Sequence, residues 1–285
     1  MSGEKSSKLN SIRVAFLGPE SSFSNDAAKK AFPADSLIAV ESIKKVFDFV
    51  EASKADFGVI PLENSIEGSV TQTLDVLAAT NLIIVGELFL QIKQCLLSKG
   101  KKETITKIFS HPQGFAQCRN YLLKNFPNVE LIECASTARA AEKASFEINS
   151  AAIASKSAAK KFNLDILEED VHDLENNKTK FAIITILQKA KSFLLKSSST
   201  KFKTSIVFGV KDSPGSLFEA IKSFKDFGVN MTKIESRPSK KNAWEYVFFI
   251  DIEGSTNEKK VISALEGLNA HCAFVKVLGS YKSLD

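Results

Sequence analysis

Five short polar stretches hold most of the side chains in this sequence suited to chemistry: GPESSFS (18–24), ENSIEGS (63–69), SHPQG (110–114), ASTA (135–138) and NKTKF (177–181). The first four place Ser, Thr or Asn where an apolar run ends and a helical pattern begins. Singly, each is a helix N-cap, because such side-chain oxygens accept hydrogen bonds from first-turn N–H groups. Together they aim several helix N-termini at the carboxyl ends of parallel strands, where free backbone N–H groups and the helix dipole favour an anion. The chemistry so predicted is capture of a small, oxygen-rich anion in a cleft. NKTKF differs. Between an acidic loop, EEDVHDLENN, and a β-rich run, FAIITIL, it crowds an amide, a hydroxyl and two ammonium groups into the mouth of a strand, where apolar or turn residues are usual. On the residues alone, a solvated loop edge and a functional floor are both open.

The elements that must position these stretches alternate short apolar runs with amphipathic helices, the grammar of an α/β protein with a largely parallel sheet. IRVAFLG, SLIAV and ADFGVIPL read as strands; NDAAKKAF, capped by Ser22 or Ser24, SIKKVFDFVEAS, capped by Ser42, and GSVTQTLDVLAAT read as helices. NLIIVGELFLQIKQCLLSKG is either two strands or one bent one. After KKETITK the grammar restarts with three strand–turn–helix runs and then returns through FAIITIL. Two lobes joined by two crossings put a cleft between them, where small ligands usually bind. The boundaries predicted are 12–190 for this region, with lobes near 12–90 plus 181–190 and 91–180, a lysine- and serine-rich linker at 191–202, and a final domain at 203–285. That last domain reads βαββαβ, a ferredoxin-like order. Its first helix is predicted to start with Ser213 as cap and Pro214 at its first position, Gly228 fits that helix's end, and SKKNA is a plausible hairpin tip.

Composition narrows the function. At 285 residues, 44% hydrophobic and 25% charged, the chain reads as a globular protein of two domains, or of one two-lobed domain with an appendix. Its charge of +5 is dispersed, with no basic stripe among exposed aromatics, so nucleic acid is not expected as a partner. The four cysteines have no CxxC spacing and sit in apolar segments, which predicts free thiols in a reducing compartment. Three histidines make a histidine-rich metal site improbable. No signal peptide or membrane span is visible, so a cytoplasmic protein follows by default. GPESSFS lacks the glycine spacing of a dinucleotide fold and there is no Walker loop, so no cofactor is expected.

In order, GPESSFS, IPLENSIEGSV, SHPQGFAQC, ASTARAA, AAIAS and D-x-x-x-N-x-T-K-F resemble the prephenate dehydratase family, and PGSLFEAI with KIESRP resembles the ACT domain that follows it there. The resemblance spans nearly the whole chain from Ile12. It implies a two-lobed, periplasmic-binding-protein-like (type II) catalytic region with a ferredoxin-like ACT domain behind it. It also implies loss of carbon dioxide and water from prephenate to give phenylpyruvate, toward phenylalanine. About ten residues precede the first strand, so no chorismate mutase segment is expected ahead of it. Prephenate is a dicarboxylate, in agreement with the anion cleft.

By the same resemblance, Thr179 is tied to the departing hydroxyl, with Asn64, Ser110 and Gln117 as further catalytic residues. Glu63, Ser65, Ser136, Thr137, Asn177, Lys180 and Phe181 are the expected substrate-binding residues. His111 is expected to orient its turn. Lys180 stands where the family usually has Arg, exchanging a planar fork for a single mobile charge. In the ACT domain, Pro214, Gly215, Ser216 and Leu217 with Glu235, Ser236, Arg237 and Pro238 match the two motifs that bind an amino acid, usually phenylalanine, between paired copies; Ser216 replaces a common Ala. A homodimer or homotetramer is implied. Two rival readings stay open: arogenate dehydratase, and a non-catalytic two-lobed sensor of small anions or amino acids.

Overall fold

A strand covered on both faces is apolar without alternation, and Val14, Ala15 and Phe16 are all fully buried in the strand Arg13–Leu17. The computed structural model describes residues 11–194, 199–239 and 246–285. Arg13–Leu17 lies between two parallel neighbours, Ser36–Val40 and Phe57–Asn64. Parallel pairing needs a crossover, and the helices Phe23–Ala31 and Ile43–Glu51 supply it. Ser22, rather than Ser24, caps the first by accepting the Asn25 N–H at 3.3 Å, and Ser42 caps the second by accepting that of Lys45 at 3.3 Å.

The long apolar passage resolves into two strands, Ile83–Gln91 and Cys95–Ser98. Cys95–Ser98 belongs to a second sheet, ordered Asp165–Glu168, Cys95–Ser98, Ser150–Ala154, Lys107–Ser110, Glu130–Glu133. Lys107–Ser110 runs parallel to both its neighbours, and Cys95–Ser98 antiparallel to both of its own. The two-residue period divides the sheet's side chains. Leu97, Phe109, Ala152 and Ala154 pack with Ala141 and Ala144 of the helix Thr137–Ala144. Leu96, Ile108 and Ile153 pack on the other face with Cys118 and with Leu122 of the helix Arg119–Asn125.

The chain forms two compact units, Met1–Val70 with Phe89–Phe181, and Thr71–Leu88 with Ala182–Asp285. The first contains both sheets described so far and the opening of the strand Lys178–Thr185, whose Lys178 C=O accepts the Ser65 N–H at 2.8 Å.

The second unit contains an antiparallel sheet ordered Met231–Pro238, Tyr246–Glu253, Phe202–Val210, Cys272–Ser283, with the helices Ser216–Asp226 and Lys259–His271. This is the expected βαββαβ order. Phe224, Ala264 and Leu268 of the helices pack on Ile206, Phe208 and Ile250 of the strands. The last strand also pairs in parallel with Ile83–Gln91, Lys282 opposite Gly86. Lys276 Nζ closes the helix Thr71–Ala79 by donating to the Leu77 carbonyl at 3.0 Å, the Ala78 carbonyl at 3.1 Å and the Thr80 carbonyl. A lysine at a helix C-terminus satisfies orphan carbonyls and the helix dipole at once.

One helix start differs from expectation. Ser216–Asp226 begins after Gly215 rather than at Pro214, because Gly215 takes the left-handed conformation (φ 82°), which a helix cannot contain. The SKKNA hairpin tip (239–243) lies outside the described residues apart from Ser239, as do 195–198 of the expected linker; Ala190–Leu194 is helical.

Candidate active site

In the first unit a cavity of about 680 Å³ is walled by all five polar stretches. Ser22 and Ser24 come from the first, Asn64 from the second, His111 and Gln113 from the third. Ser136 with Thr137, and Thr179 with Phe181, come from the last two.

Asn64, 7% exposed at the end of the strand Phe57–Asn64, joins two of these stretches. Its Oδ1 accepts the N–H groups of Ile66 at 3.0 Å and Glu67 at 3.2 Å, which folds the turn after the strand. Its Nδ2 donates to Asn177 Oδ1 at 2.7 Å and to Thr179 Oγ1 at 3.0 Å. A threonine oxygen that accepts from an amide becomes a better donor. The Thr179 hydroxyl proton has no acceptor among the described residues, so it is available to whatever occupies the cavity.

Strand alternation sorts the rest of NKTKF. Thr179 and Phe181 face the cavity, while Lys180 turns to the other side, donates to Glu63 Oε2 at 2.7 Å and lies 5.9 Å from the centre of the Phe89 ring. Lys180 and Glu63, expected to meet the substrate, do not line this cavity, for a reason of period: they sit one residue from Thr179 and Asn64 in their strands. Asn177 is fully buried behind the wall and holds Asn64. Ser65 Oγ ties the two segments together, donating to the Asn176 carbonyl at 2.8 Å and accepting the Lys178 N–H at 2.9 Å. Both support the wall rather than form it.

Ser110 is likewise behind the wall. It is fully buried, its hydroxyl donates to the Ile153 carbonyl at 3.0 Å, and it packs under the helix Pro112–Gln117, where a Cβ on Gly114 would stand 2.3 Å from its Oγ. His111 caps that helix as expected, its Nδ1 accepting the Gln113 N–H at 3.2 Å. Gln117 lines the cavity; its Oε1 accepts from Gln94 Nε2 at 3.2 Å. Ser136 caps the helix Thr137–Ala144 by accepting the Arg139 N–H at 3.1 Å.

Gln94 and Arg139 are among the cavity residues that escaped the sequence reading. Each left a signal. Gln94 is a polar side chain inside an apolar passage, and Arg139 stands in the first turn of a helix already flagged by its cap. The thiols of Cys118 and Cys95 are poor nucleophiles, since burial pushes the first up to about 12 and the second upward as well. Among the described residues no cluster of three His, Cys, Asp or Glu side chains is placed to hold a metal.

The two stretches expected to bind an amino acid lie in the second unit. Pro214 and Gly215 form an exposed turn, and Ser216 Oγ is 2.6 Å from Ser213 Oγ. In the outer strand Met231–Pro238, Glu235 pairs with Lys233 at 3.3 Å and Arg237 with Asp75 at 3.7 Å, while Ser236 and Pro238 are exposed. Arg237 Nε is buried with no partner among the described residues.

The chain is similar to known proteins over most of its length. The family model described as prephenate dehydratase matches residues 14–189, and that described as ACT domain matches residues 204–270. A bifunctional chorismate mutase/prephenate dehydratase of Aquifex aeolicus is 44% identical over 95% of this chain and 73% of its own. A prephenate dehydratase of Methanocaldococcus jannaschii is 37% identical over 95% of this chain and 98% of its own. Among solved structures, a prephenate dehydratase from Arthrobacter aurescens in complex with L-Phe superposes with a TM-score of 0.86 at 31% identity, covering 96% of this chain and 91% of its own.

Proposed function

Because the chain belongs to the prephenate dehydratase family, we infer that its cleft converts prephenate to phenylpyruvate with Thr179 as hydrogen-bond donor to the departing hydroxyl. The ring carboxylate leaves as carbon dioxide, its bonding electrons complete the aromatic ring, and the ring C–O bond breaks; one proton turns the departing hydroxide into water. Aromatisation drives the step, so the enzyme must hold the dianion and meet the charge developing on oxygen. The observation that carries this reading is the Asn64 Nδ2 donation to Thr179 Oγ1, which leaves the threonine proton directed elsewhere. Gln117 and Ser136 line the cavity as further hydrogen-bonding groups, while Ser110, Asn177 and Ser65 hold the wall in place.

The reading extends to regulation. The catalytic region is taken as 12–190, the linker as 191–202 and the ACT domain as 203–285. Phenylalanine is the effector, bound at Pro214–Leu217 and Glu235–Pro238 where two copies pair through the outer strand Met231–Pro238, giving a homodimer or homotetramer. The alternating exposure of Thr232, Ile234, Ser236 and Pro238 supports such pairing, since an open strand edge invites a second one. Among the described residues no helix is long and apolar enough to cross a membrane; we place the enzyme in the cytoplasm. Product formation measured side by side, phenylpyruvate from prephenate and phenylalanine from arogenate, with the prephenate assay run with and without added phenylalanine, tests the whole reading. Turnover of prephenate that responds to phenylalanine is expected; turnover of arogenate alone would transfer the chemistry to the aminated substrate.

A further inference from the structure

We propose that Arg139 binds the pyruvyl carboxylate of the substrate, the carboxylate that survives into the product. This rests on the reading of the cleft as a prephenate site. A dianion needs cationic partners, yet Arg139 is the only lysine or arginine in the described wall of the cavity, and the wall also contains the acid Glu41. Lys180, which stands where the family usually has arginine, faces away and is engaged with Glu63.

The position of Arg139 suits the task. It is the third residue of the helix Thr137–Ala144, fixed there by its own N–H donated to Ser136 Oγ. The guanidinium rests on Glu142 Oε2 at 2.5 Å, with the two side chains 62% and 36% exposed. A surface pair three residues apart on one helix holds its partners weakly. A substrate carboxylate can therefore replace Glu142, and the guanidinium fork can take it through two parallel N–H bonds.

Chemistry selects which carboxylate. The ring carboxylate must surrender its charge and leave as neutral carbon dioxide, so a cation gripping it would stabilise the ground state more than the transition state and slow the reaction. The pyruvyl carboxylate keeps its charge throughout. A cation there binds substrate, transition state and product alike.

Steady-state kinetics of the full chain with Arg139→Ala and Arg139→Lys test the assignment. In Arg139→Ala, KM for prephenate and the inhibition constant of phenylpyruvate rise together by about tenfold to a hundredfold, kcat stays within about threefold, and the salt dependence of KM flattens. Arg139→Lys falls between the two, and melting temperatures match the parent's. A KM within about twofold of the parent overturns the proposal. So does a raised KM with an unmoved product inhibition constant, which would put Arg139 on the ring carboxylate. Failure of the parent itself to turn over prephenate would overturn the functional reading as well, whereas parental turnover with an unchanged variant overturns only the role of Arg139.

Discussion

A threonine hydroxyl is a poor acid, so its neighbours must make it useful. Asn64 does this with one amide that folds the following turn through Oδ1 and polarises Thr179 through Nδ2. Thr179→Ala should lower kcat by about a hundredfold to a thousandfold with an unchanged melting temperature, and Thr179→Ser should keep most turnover. Asn64→Asp preserves the turn acceptor but removes the donor; kcat should fall severalfold or more while KM moves little, and a variant with parental kcat would deny Asn64 its part. Lys180→Arg should keep the Glu63 pair and leave KM within about twofold of the parent, measured in the same assay. The sequence made Thr179, Asn64, Gln117, Ser136, Thr137 and Phe181 legible as cavity residues because each adjoins a strand end or cap. Lys180 and Glu63 lie off the cavity wall because a motif is a string, whereas alternate residues of a strand face opposite ways, and Asn177, Ser65 and Ser110 lie off it because their side chains are taken up in hydrogen bonds behind it.

At the scale of elements, the first unit's two sheets are tied directly to each other. The turn Gly18–Ser24 meets the start of the helix Lys156–Phe162: Ser155 Oγ donates to the Ser21 carbonyl at 3.1 Å, Ser157 Oγ to Asp26 Oδ2 at 2.8 Å, and Lys161 Nζ to Glu20 Oε2 at 2.5 Å. Burial raises the Asp26 carboxyl above its usual 3.8, with the Ser157 hydrogen bond and Lys29 opposing. The folded state therefore holds this proton more tightly than the unfolded chain, and the contribution to stability is greatest below the ordinary carboxylate value and shrinks as pH rises through the folded one. Melting curves from pH 4 to pH 7 should show Asp26→Asn gaining on the parent as pH rises; a constant or reversed difference would contradict the buried-carboxyl account. In the helix Pro112–Gln117, Gly114→Ala forces a methyl onto Ser110 Oγ and should cost about 1–3 kcal/mol, read as a lower urea midpoint. The helix starts at Ser22, Ser42 and Ser136 were legible from their caps, since a cap is a local bond. The start at Ser216 was not, because the left-handed Gly215 outranks the local Ser–Pro signal.

For the whole molecule, the alternation of strand and helix and the βαββαβ tail were legible because burial leaves its period in the sequence. Which segments share a compact unit was not: Thr71–Leu88 looks like its neighbours in composition, and contacts such as the Lys276 bonds, the pairing of Lys282 with Gly86 and the Arg237–Asp75 pair place it with the C-terminal unit. If phenylalanine binds the ACT motifs and changes the cleft, linkage requires prephenate to change phenylalanine affinity by the same factor, which calorimetric titration with and without a non-reacting substrate analogue would measure. Global stability is also not the only stability that matters here. The amide protons of Ile66 and Glu67 exchange with solvent only when Asn64 Oδ1 lets them go, and that release is available to local opening far short of unfolding. The same amide group orients Thr179, so deuterium uptake at these two positions acts as a clock on catalytic competence, and heat should silence the enzyme before it melts the protein.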